Sequence, residues 1–343
     1  MRAIAIDYTR RELTDREVPE PGIRHQDEVL LEVLQVGVCG TDRDLAALRI
    51  GRGPDGDEYL VPGHEAACRI LQAGPLAGDL KTGDIVVPQV RRPCAPPCEF
   101  CSAGRHDLCA TGRYTERGIL GAHGYFTERA VDRARDVFRI PADAAAHAVL
   151  LEPLSVVEKA VDVALRLHAG EPRRALVFGA GSIGLLCAAV LRLRGLECLI
   201  VSVEPRQSAR ARLVQAAGAD YDITAPRSEF DIAIEAAGSP EVIAPALDAL
   251  RPNGVLIVLG ARTFEGKLPM LDLILGNRIV AGSVNASPGH FSQAAANLSR
   301  IPAPLLESMV DVRPWGDYRD SFLGKTQAGE APKIVHRIAV NFD

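Results

Sequence analysis

Up to about residue 150, apolar residues come in short runs with near-alternating polarity. Glu28–Val36 (EVLLEVLQV), Ala66–Leu71 and Asp84–Val87 are examples, and turn residues such as Pro62-Gly63 and Thr82-Gly83 bound them. This predicts short strands with frequent turns, as in a barrel or sandwich. After Pro153 the period changes. Val156–Leu167 carries apolar residues at helical spacing, Ala175–Phe178 reads as a buried strand, and a glycine-rich turn leads into a helix ending near Leu193. Cys198–Val203 predicts the next strand, an Arg/Ala-rich segment to Ala217 the next helix, and Asp231–Glu235 and Val255–Leu259 two more strands with a helix between. Strands alternating with helices predict a parallel sheet, so the fold class is α/β with an all-β part in front. From about Asn285 the sequence is mixed, polar and less periodic, and it ends in a strand-like Lys333–Val340.

A chain of 343 residues favours two domains. Hydrophobic residues make up 47% and charged residues 24%, which excludes a disordered, collagenous or coiled-coil chain. A net charge of −5 offers no basic surface, so neither nucleic acid nor an anionic membrane is expected as a partner. No uncharged apolar run is long enough to span a bilayer. The start, MRAIAIDYTRRELTDRE, lacks the apolar stretch of a signal peptide, so a cytoplasmic location is expected. There the eight cysteines are expected as thiols or metal ligands.

Gly179-Ala180-Gly181-Ser182-Ile183-Gly184 is G-x-G-x-x-G between a predicted strand and a predicted helix. The first glycine allows the tight turn, the second a close approach to a pyrophosphate, the third close strand–helix packing, and the helix N-terminus faces the negative charge. About 20 residues on, the chain reads Val201-Ser202-Val203-Glu204-Pro205-Arg206. Glu204 would accept ribose hydroxyls and repel a 2′-phosphate, favouring NAD; Ser202 and Arg206 would instead welcome that phosphate, favouring NADP. The reading favours NAD slightly.

Cys94, Cys98, Cys101 and Cys109 follow C-x3-C-x2-C-x7-C in a Pro/Gly-rich stretch. Four thiolates within 16 residues suit a closed, structural zinc site, with a disulfide pair as the alternative. Upstream lie Cys39-Gly40-Thr41-Asp42 and Gly63-His64-Glu65; each is weak alone, since a lone Cys or His is more often a core residue. With Glu152 of Leu151-Glu152-Pro153-Leu154 they would supply thiolate, imidazole and carboxylate, three ligands and one open position. Glu65 would be a fourth or exchanging ligand.

In this order, with the Lys333-Ile334-Val335 strand at the end, these motifs resemble the zinc-dependent medium-chain alcohol dehydrogenases over essentially the whole chain. Within that superfamily the chain is most similar to the glucose (aldose) 1-dehydrogenase branch. The residues responsible are Cys39-Gly-Thr-Asp-Arg43, Val90-Arg-Arg92, Thr111–Ile119, Glu152–Lys159, and Val284-Asn285 followed by His290-Phe291. The resemblance implies a GroES-like β-barrel catalytic domain over residues 1–155 with the zinc lobe at 94–109. An inserted Rossmann doubly wound parallel-sheet domain would cover 156–288, and 289–343 would return to the catalytic domain.

It implies catalytic zinc at Cys39, His64 and Glu152 with Glu65 in attendance, and structural zinc at the four lobe cysteines, two zinc per chain. Thr41 would pass the proton, with Glu65 the second catalytic residue. Thr41, Glu116, Glu152 and Asn285 would contact the sugar; Glu116 could equally be half of an ion pair with a nearby Arg. NAD or NADP would be bound by Gly179, Gly181, Ser182, Ile183, Gly184, Ser202, Glu204, Arg206, Ala237 and Gly260. The expected reaction oxidises the C1 hydroxyl of an aldose to a lactone; the rivals are another sugar, polyol or secondary alcohol, a zinc-free quinone reductase, or a non-catalytic paralogue. A homodimer or homotetramer is expected, paired through the last sheet strand near Ile279–Val284. Three positions depart from the family: three residues, Ala95-Pro96-Pro97, separate the first two lobe cysteines where two are usual. Val90 stands where some relatives have a sugar-binding Asn, and Leu275 where some have a His.

Overall fold

The computed structural model describes residues 1–260, 268–325 and 330–339. The N-terminal part contains β1 (Arg2–Asp7), β2 (Glu12–Glu17), β3 (Glu28–Val38), α1 (Gly40–Ala46), β4 (Tyr59–Leu60), β5 (Glu65–Ala73), β6 (Ile85–Pro88), β7 (Arg91–Arg92) and α2 (Glu99–Ser102). Then follow β8 (Thr115–Arg117), β9 (Gly121–Ala122), β10 (Arg129–Arg133), β11 (Val137–Arg139) and α3 (Leu151–Leu167). The second part is β12 (Arg174–Phe178), α4 (Ser182–Leu193), β13 (Glu197–Val201), α5 (Ala209–Ala216), β14 (Asp220–Asp222), β15 (Phe230–Glu235), α6 (Ile243–Ala249), β16 (Leu250–Val258), α7 (Met270–Gly276) and β17 (Ile279–Gly282). The tail adds α8 (Pro288–Leu298), α9 (Ala303–Ser308), β18 (Val310–Pro314) and β19 (Lys333–Arg337).

The second part forms one six-stranded sheet in the order β14-β13-β12-β15-β16-β17, every neighbour parallel. Relative to β12 as first strand this is the 3-2-1-4-5-6 order of a doubly wound fold, whose ligand site lies at the carboxyl ends of the strands where the order reverses. Alternation along β12 divides its two faces. Ala175 and Val177 pack with α3 and α4, while Leu176 and Phe178 pack with Ile243, Ala246 and Leu247 of α6. The first part is built round a sheet in the order β11-β6-β5-β3-β19-β18, with β10 also pairing β3. The tail therefore closes the N-terminal sheet: β19 runs antiparallel to β3, Ile334 opposite Val38 and Val335 opposite Gly37.

Three elements differ from the sequence pattern. The helix predicted over Val156–Leu167 begins at Leu151 and so takes in Glu152 and Pro153. Proline is tolerated in a first turn because its missing N–H has no helical partner there. The strand predicted over Cys198–Val203 stops at Val201, and Val203 is 95% exposed. The tail after Asn285 is less irregular than it reads. Phe291, Ala294 and Leu298 of α8 form a buried stripe against α3, and Ser287 caps the helix by accepting from the His290 N–H. Its periodicity is faint because much of the stripe is alanine. The terminal strand holds as far as Arg337; Val340, at the end of the predicted one, lies outside the described residues.

Candidate active site

The first metal cluster is assembled where β3, β5 and β19 meet α1. Gly63 precedes His64 with φ +91°, and a side chain on Gly118 or Gly124 would collide with the Gly63 carbonyl, so two glycine backbones cross over the approach to His64. This presents the imidazole at the start of β5. Cys39 lies at the head of α1, and its N–H donates to Asp42 Oδ2 at 2.9 Å. The Cys39 Sγ lies 3.3 Å from His64 Nε2, and donor atoms of Cys39, His64 and Glu65 all fall within 4.8 Å of one another. Glu65 is ion-paired with Lys333 of β19, both almost fully buried. Gly37 of β3 makes room for them, since a Cβ there would strike the Glu65 carboxylate.

Three buried atoms in this cluster lack a hydrogen-bond partner: Glu65 Oε2, which meets only the ion pair with Lys333, and His64 Nδ1 and Asp42 Oδ1, 3.6 Å apart. The imidazole thus aims Nε2 at the thiol and Nδ1 towards a carboxylate, which is how metal-bound histidines are oriented. A thiol, an imidazole and a carboxylate converging in a buried pocket fit a zinc ion. Burial pushes the Cys39 thiol up, and the Asp42 charge adds to this. Burial pulls His64 down, but the charges of Cys39 and Asp42 outweigh it and hold the imidazole well above its ordinary value. Glu152, in the first turn of α3, lies outside the tight trio. Its carboxyl is pushed up to about 7 by burial, against the opposing charge of His64. Thr41 sits in the first turn of α1, two residues from Cys39.

The second cluster is the lobe. All four sulfur atoms of Cys94, Cys98, Cys101 and Cys109 lie within 4.8 Å of one another, and all eight cysteines are free thiols. The extra residue in 95–97 therefore does not prevent closure. The Cys98 N–H donates to Cys94 Sγ at 3.2 Å. Burial pushes Cys101 up to about 12. Cys109 is brought down to about 6, because the hydroxyl and N–H of Thr111 and the neighbouring thiols outweigh its desolvation. Four convergent thiols fit a closed zinc site.

Glu116 and Asn285, far apart in sequence, meet: Asn285 Nδ2 donates to Glu116 Oε1 at 2.8 Å. Glu116 is also ion-paired with Arg91 at 3.0 Å, as its ion-pair reading expects. Val90 is buried, at 2% exposure, and Leu275 is 72% exposed on α7.

In the nucleotide region, Gly179 adopts φ +105°, and a Cβ on Gly184 would collide with the Gly179 carbonyl. A Cβ on Gly181 would meet no protein atom within 4 Å. Its smallness therefore leaves open space before the N-terminus of α4, with Ser182 and Ile183 as the first helical residues, a fit to a dinucleotide pyrophosphate. The Ala180 N–H donates to Ser202 Oγ at 3.3 Å, and that hydroxyl donates in turn to Glu204. Arg206 is paired with Asp222 at 2.6 Å. Ala237 and Gly260 lie on loops gathered by one buried carboxylate, as Glu235 accepts from the N–H groups of both at 2.9 and 2.8 Å.

Sequence reasoning missed five residues here. Asp42, Lys333, Arg91, Glu235 and Arg210, whose Nη1 donates to Ala180 O at 3.1 Å, act on the site residues, and the first three stand in quoted motifs without having been assigned a role. Lys333 carried a signal: it opens an apolar strand in a chain with only five lysines among 39 basic residues.

A barrel and a doubly wound sheet, a thiol–imidazole–carboxylate cluster and an open glycine turn define a metal-dependent, dinucleotide-linked oxidoreductase. Comparison with known proteins agrees. Residues 25–142 match the Alcohol dehydrogenase GroES-like domain and residues 145–327 the Glucose dehydrogenase C-terminus. The chain is 41% identical over 302 residues to Glucose 1-dehydrogenase 2 of Vulcanisaeta moutnovskia, covering 84% of each. It is 40% identical over 313 residues to Glucose 1-dehydrogenase of Thermoproteus tenax, covering 87% of this chain and 88% of the relative. It superposes with TM-score 0.88 and 30% identity on the glucose dehydrogenase of Haloferax mediterranei in complex with NADP, Zn and gluconolactone, covering 99% of this chain and 100% of that one. The chain belongs to the glucose dehydrogenase family of zinc-containing medium-chain dehydrogenases.

Proposed function

We propose that the protein oxidises the C1 hydroxyl of a glucose-like aldose to the aldonolactone, with NAD or NADP taking the hydride. The observation that carries this reading is the convergence of Cys39, His64 and Glu65 beside Glu152, in a chain whose relatives are glucose 1-dehydrogenases. Cys39, His64 and Glu152 would hold the catalytic zinc. Lys333 keeps Glu65 occupied, so Glu65 is the exchanging carboxylate. When bound, the zinc supplies Lewis acidity that acidifies a hydroxyl, and the nicotinamide supplies the hydride acceptor. Thr41 takes the hydroxyl proton towards solvent or cofactor ribose. Glu116 and Asn285 accept and donate hydrogen bonds to the remaining sugar hydroxyls. The lobe cysteines would hold the second zinc.

The cofactor loops are those of Gly179, Gly181, Ser182, Ile183, Gly184, Ala237 and Gly260. Glu204 faces the ribose and favours NAD slightly: Ser202 is committed to Glu204, and Arg206 to Asp222. Arg210 favours the second reading, NADP, because it places a cation beside the same turn.

The barrel, nucleotide domain and return segment divide near residues 155 and 288. The protein works as a homodimer or homotetramer in the cytoplasm, where eight free cysteines persist as thiols. Met270, Leu271, Ile274 and Leu275 of α7 are 59–72% exposed next to the sheet-edge strand β17, which supports pairing there. Among the described residues no helix is long and apolar enough to cross a membrane.

The test is a panel of aldoses and polyols with each cofactor, together with zinc analysis. Aldose turnover with about two zinc per chain is expected. Turnover of a polyol or secondary alcohol in preference to every aldose would move the reading to the rival substrate class.

A further inference from the structure

A closed ring of buried polar groups joins the lobe to the residues proposed to read the sugar. Asp107 lies in the lobe, two residues before Cys109, and its side chain is fully buried. Its Oδ2 pairs with Lys159 Nζ of α3 at 2.8 Å, and the same ammonium donates to the Val284 carbonyl at 2.8 Å. Asn285 comes next and donates to Glu116 Oε1 at 2.8 Å. Arg91 Nε donates to that oxygen at 3.0 Å, and Arg91 Nη1 closes the ring on the Asp107 carbonyl at 3.2 Å. The guanidinium also stacks 3.8 Å over the Tyr114 ring, which fixes its plane.

All the protein bonds to the Glu116 carboxylate fall on Oε1. Oε2 carries none among the described residues, on a side chain that is 12% exposed. The ring therefore does two things to Glu116. It pairs one oxygen with Arg91 and Asn285, and it leaves the other as an unspent acceptor. Glu116 also lies two residues before Gly118, whose backbone packs on Gly63, the residue before His64, so the chain that carries Glu116 passes beside the metal cluster. Asn285 is held at φ +62°, and its Oδ1 is engaged by the Ala286 N–H at 2.9 Å. The pair has little freedom of its own; its placement is inherited from the ring.

We infer that the four-cysteine lobe, through Asp107, Lys159 and Arg91, sets the position of the Glu116–Asn285 pair and so tunes sugar recognition, besides holding its own loop together. Asp107, Lys159 and Arg91 are positioning residues that reach the sugar only through that pair. Two cations alternate with two anions around the ring, and Arg105 is a further cation on Asp107 at 3.3 Å. Removing Asp107 leaves Lys159 without its carboxylate, and removing Arg91 leaves Glu116 without its cation, which pulls the others out of register. This inference rests on the proposed role of Glu116 and Asn285 as sugar-reading residues.

The experiment compares Asp107→Asn, Lys159→Met and Arg91→Lys with Glu116→Gln and the parent. It reads KM and kcat for glucose and its C2 and C4 epimers, glucose affinity by calorimetry, zinc per chain and Tm. The ring variants are expected to raise KM and Kd for glucose about 10-fold and to narrow the preference among epimers. Their kcat should stay within about 3-fold of the parent, with both metals and the cofactor KM retained. Arg91→Lys keeps the charge but loses the fork, so it should follow the others. An unchanged KM and epimer preference in the ring variants, with only Tm lowered, would overturn the inference while Glu116→Gln still raised KM. If Glu116→Gln itself left sugar KM unchanged, the sugar-reading role would fail first, and the two failures are thereby told apart. Should Asp107→Asn fail to fold, Lys159→Met and Arg91→Lys decide the question alone.

Discussion

The two metal-binding clusters of this chain are built in opposite ways. The lobe draws its four thiols from a single run of 16 residues, and they face one another on all sides. The other cluster gathers Cys39 from the head of α1, Glu65 from β5 and His64 from the residue before it, Lys333 from the last strand and Glu152 from the start of α3. It keeps buried atoms without partners, at His64 Nδ1 and Asp42 Oδ1, and carboxyl and imidazole groups pushed off their ordinary values. A local run of soft ligands can satisfy itself and is stable when closed. A site meant to take a substrate needs an open face, and the fold must hold its donors in a state they would not choose alone.

The sharpest way to break this contrast is to remove a ligand from each side. Cys39→Ala or His64→Ala is expected to lower kcat/KM by at least about 10³-fold with cofactor affinity near normal, because these ligands stand in the barrel. Full activity in either purified variant would remove the catalytic assignment. Cys98→Ser or Cys109→Ser should instead lower stability by on the order of several kcal/mol, with one zinc lost per chain. A variant as heat-stable as the parent with unchanged metal would make the lobe no staple.

A third measurement asks whether cofactor choice is local, like the lobe, or assembled, like the active site. Glu204→Arg should shift the NAD/NADP ratio of kcat/KM towards NADP by about 10-fold or more, since like-charge repulsion against a 2′-phosphate is replaced by attraction. An unchanged ratio would hand the choice to Arg210, which only the fold brings to the turn.

The smallest effect concerns acid. His336 of β19 is fully buried; its Nδ1 lies 2.9 Å from the Pro314 carbonyl and its Nε2 2.9 Å from Ser321 Oγ. Burial holds its pKa below the ordinary histidine value, only partly opposed by the Pro314 carbonyl. Between that lowered value and about 6.5 the unfolded chain binds more protons than the folded one. Stability is therefore full above about pH 6.5 and falls as pH drops towards the folded value. His336→Gln should flatten this limb in denaturant titrations from pH 8 to 5. An unaltered slope would leave acid sensitivity to the metal clusters themselves.

How much of this was legible depended on distance along the chain. The glycine turn and the lobe could be read because strand, turn and helix, or four thiols, follow one another within a few residues. Cys39, His64 and Glu152 could be grouped only by donor chemistry and then by a family resemblance, since nothing in a linear pattern says that α1, β5 and α3 converge. Asp42 stood inside a quoted motif yet gave no sign that its carboxylate turns towards His64. The buried stripe of α8 was lost because alanine supplies little contrast, and the start of α3 because Pro153 reads as a boundary until one sees that it occupies the first turn.

By itself the sequence determined the α/β class, the phosphate-binding turn, the four-cysteine lobe and the candidate donors, because each is encoded by periodicity or short spacing that local backbone geometry translates directly. Only the tertiary structure decided which donors meet. It also decided that Lys333 neutralises Glu65 through the space left at Gly37, that Arg206 is spent on Asp222 while Arg210 reaches the turn, and that Glu116 and Asn285 join across the molecule. The Lys333–Glu65 and Glu116–Asn285 pairings are set by strand register and by the burial of charge, which act between segments more than 100 residues apart and leave no local trace.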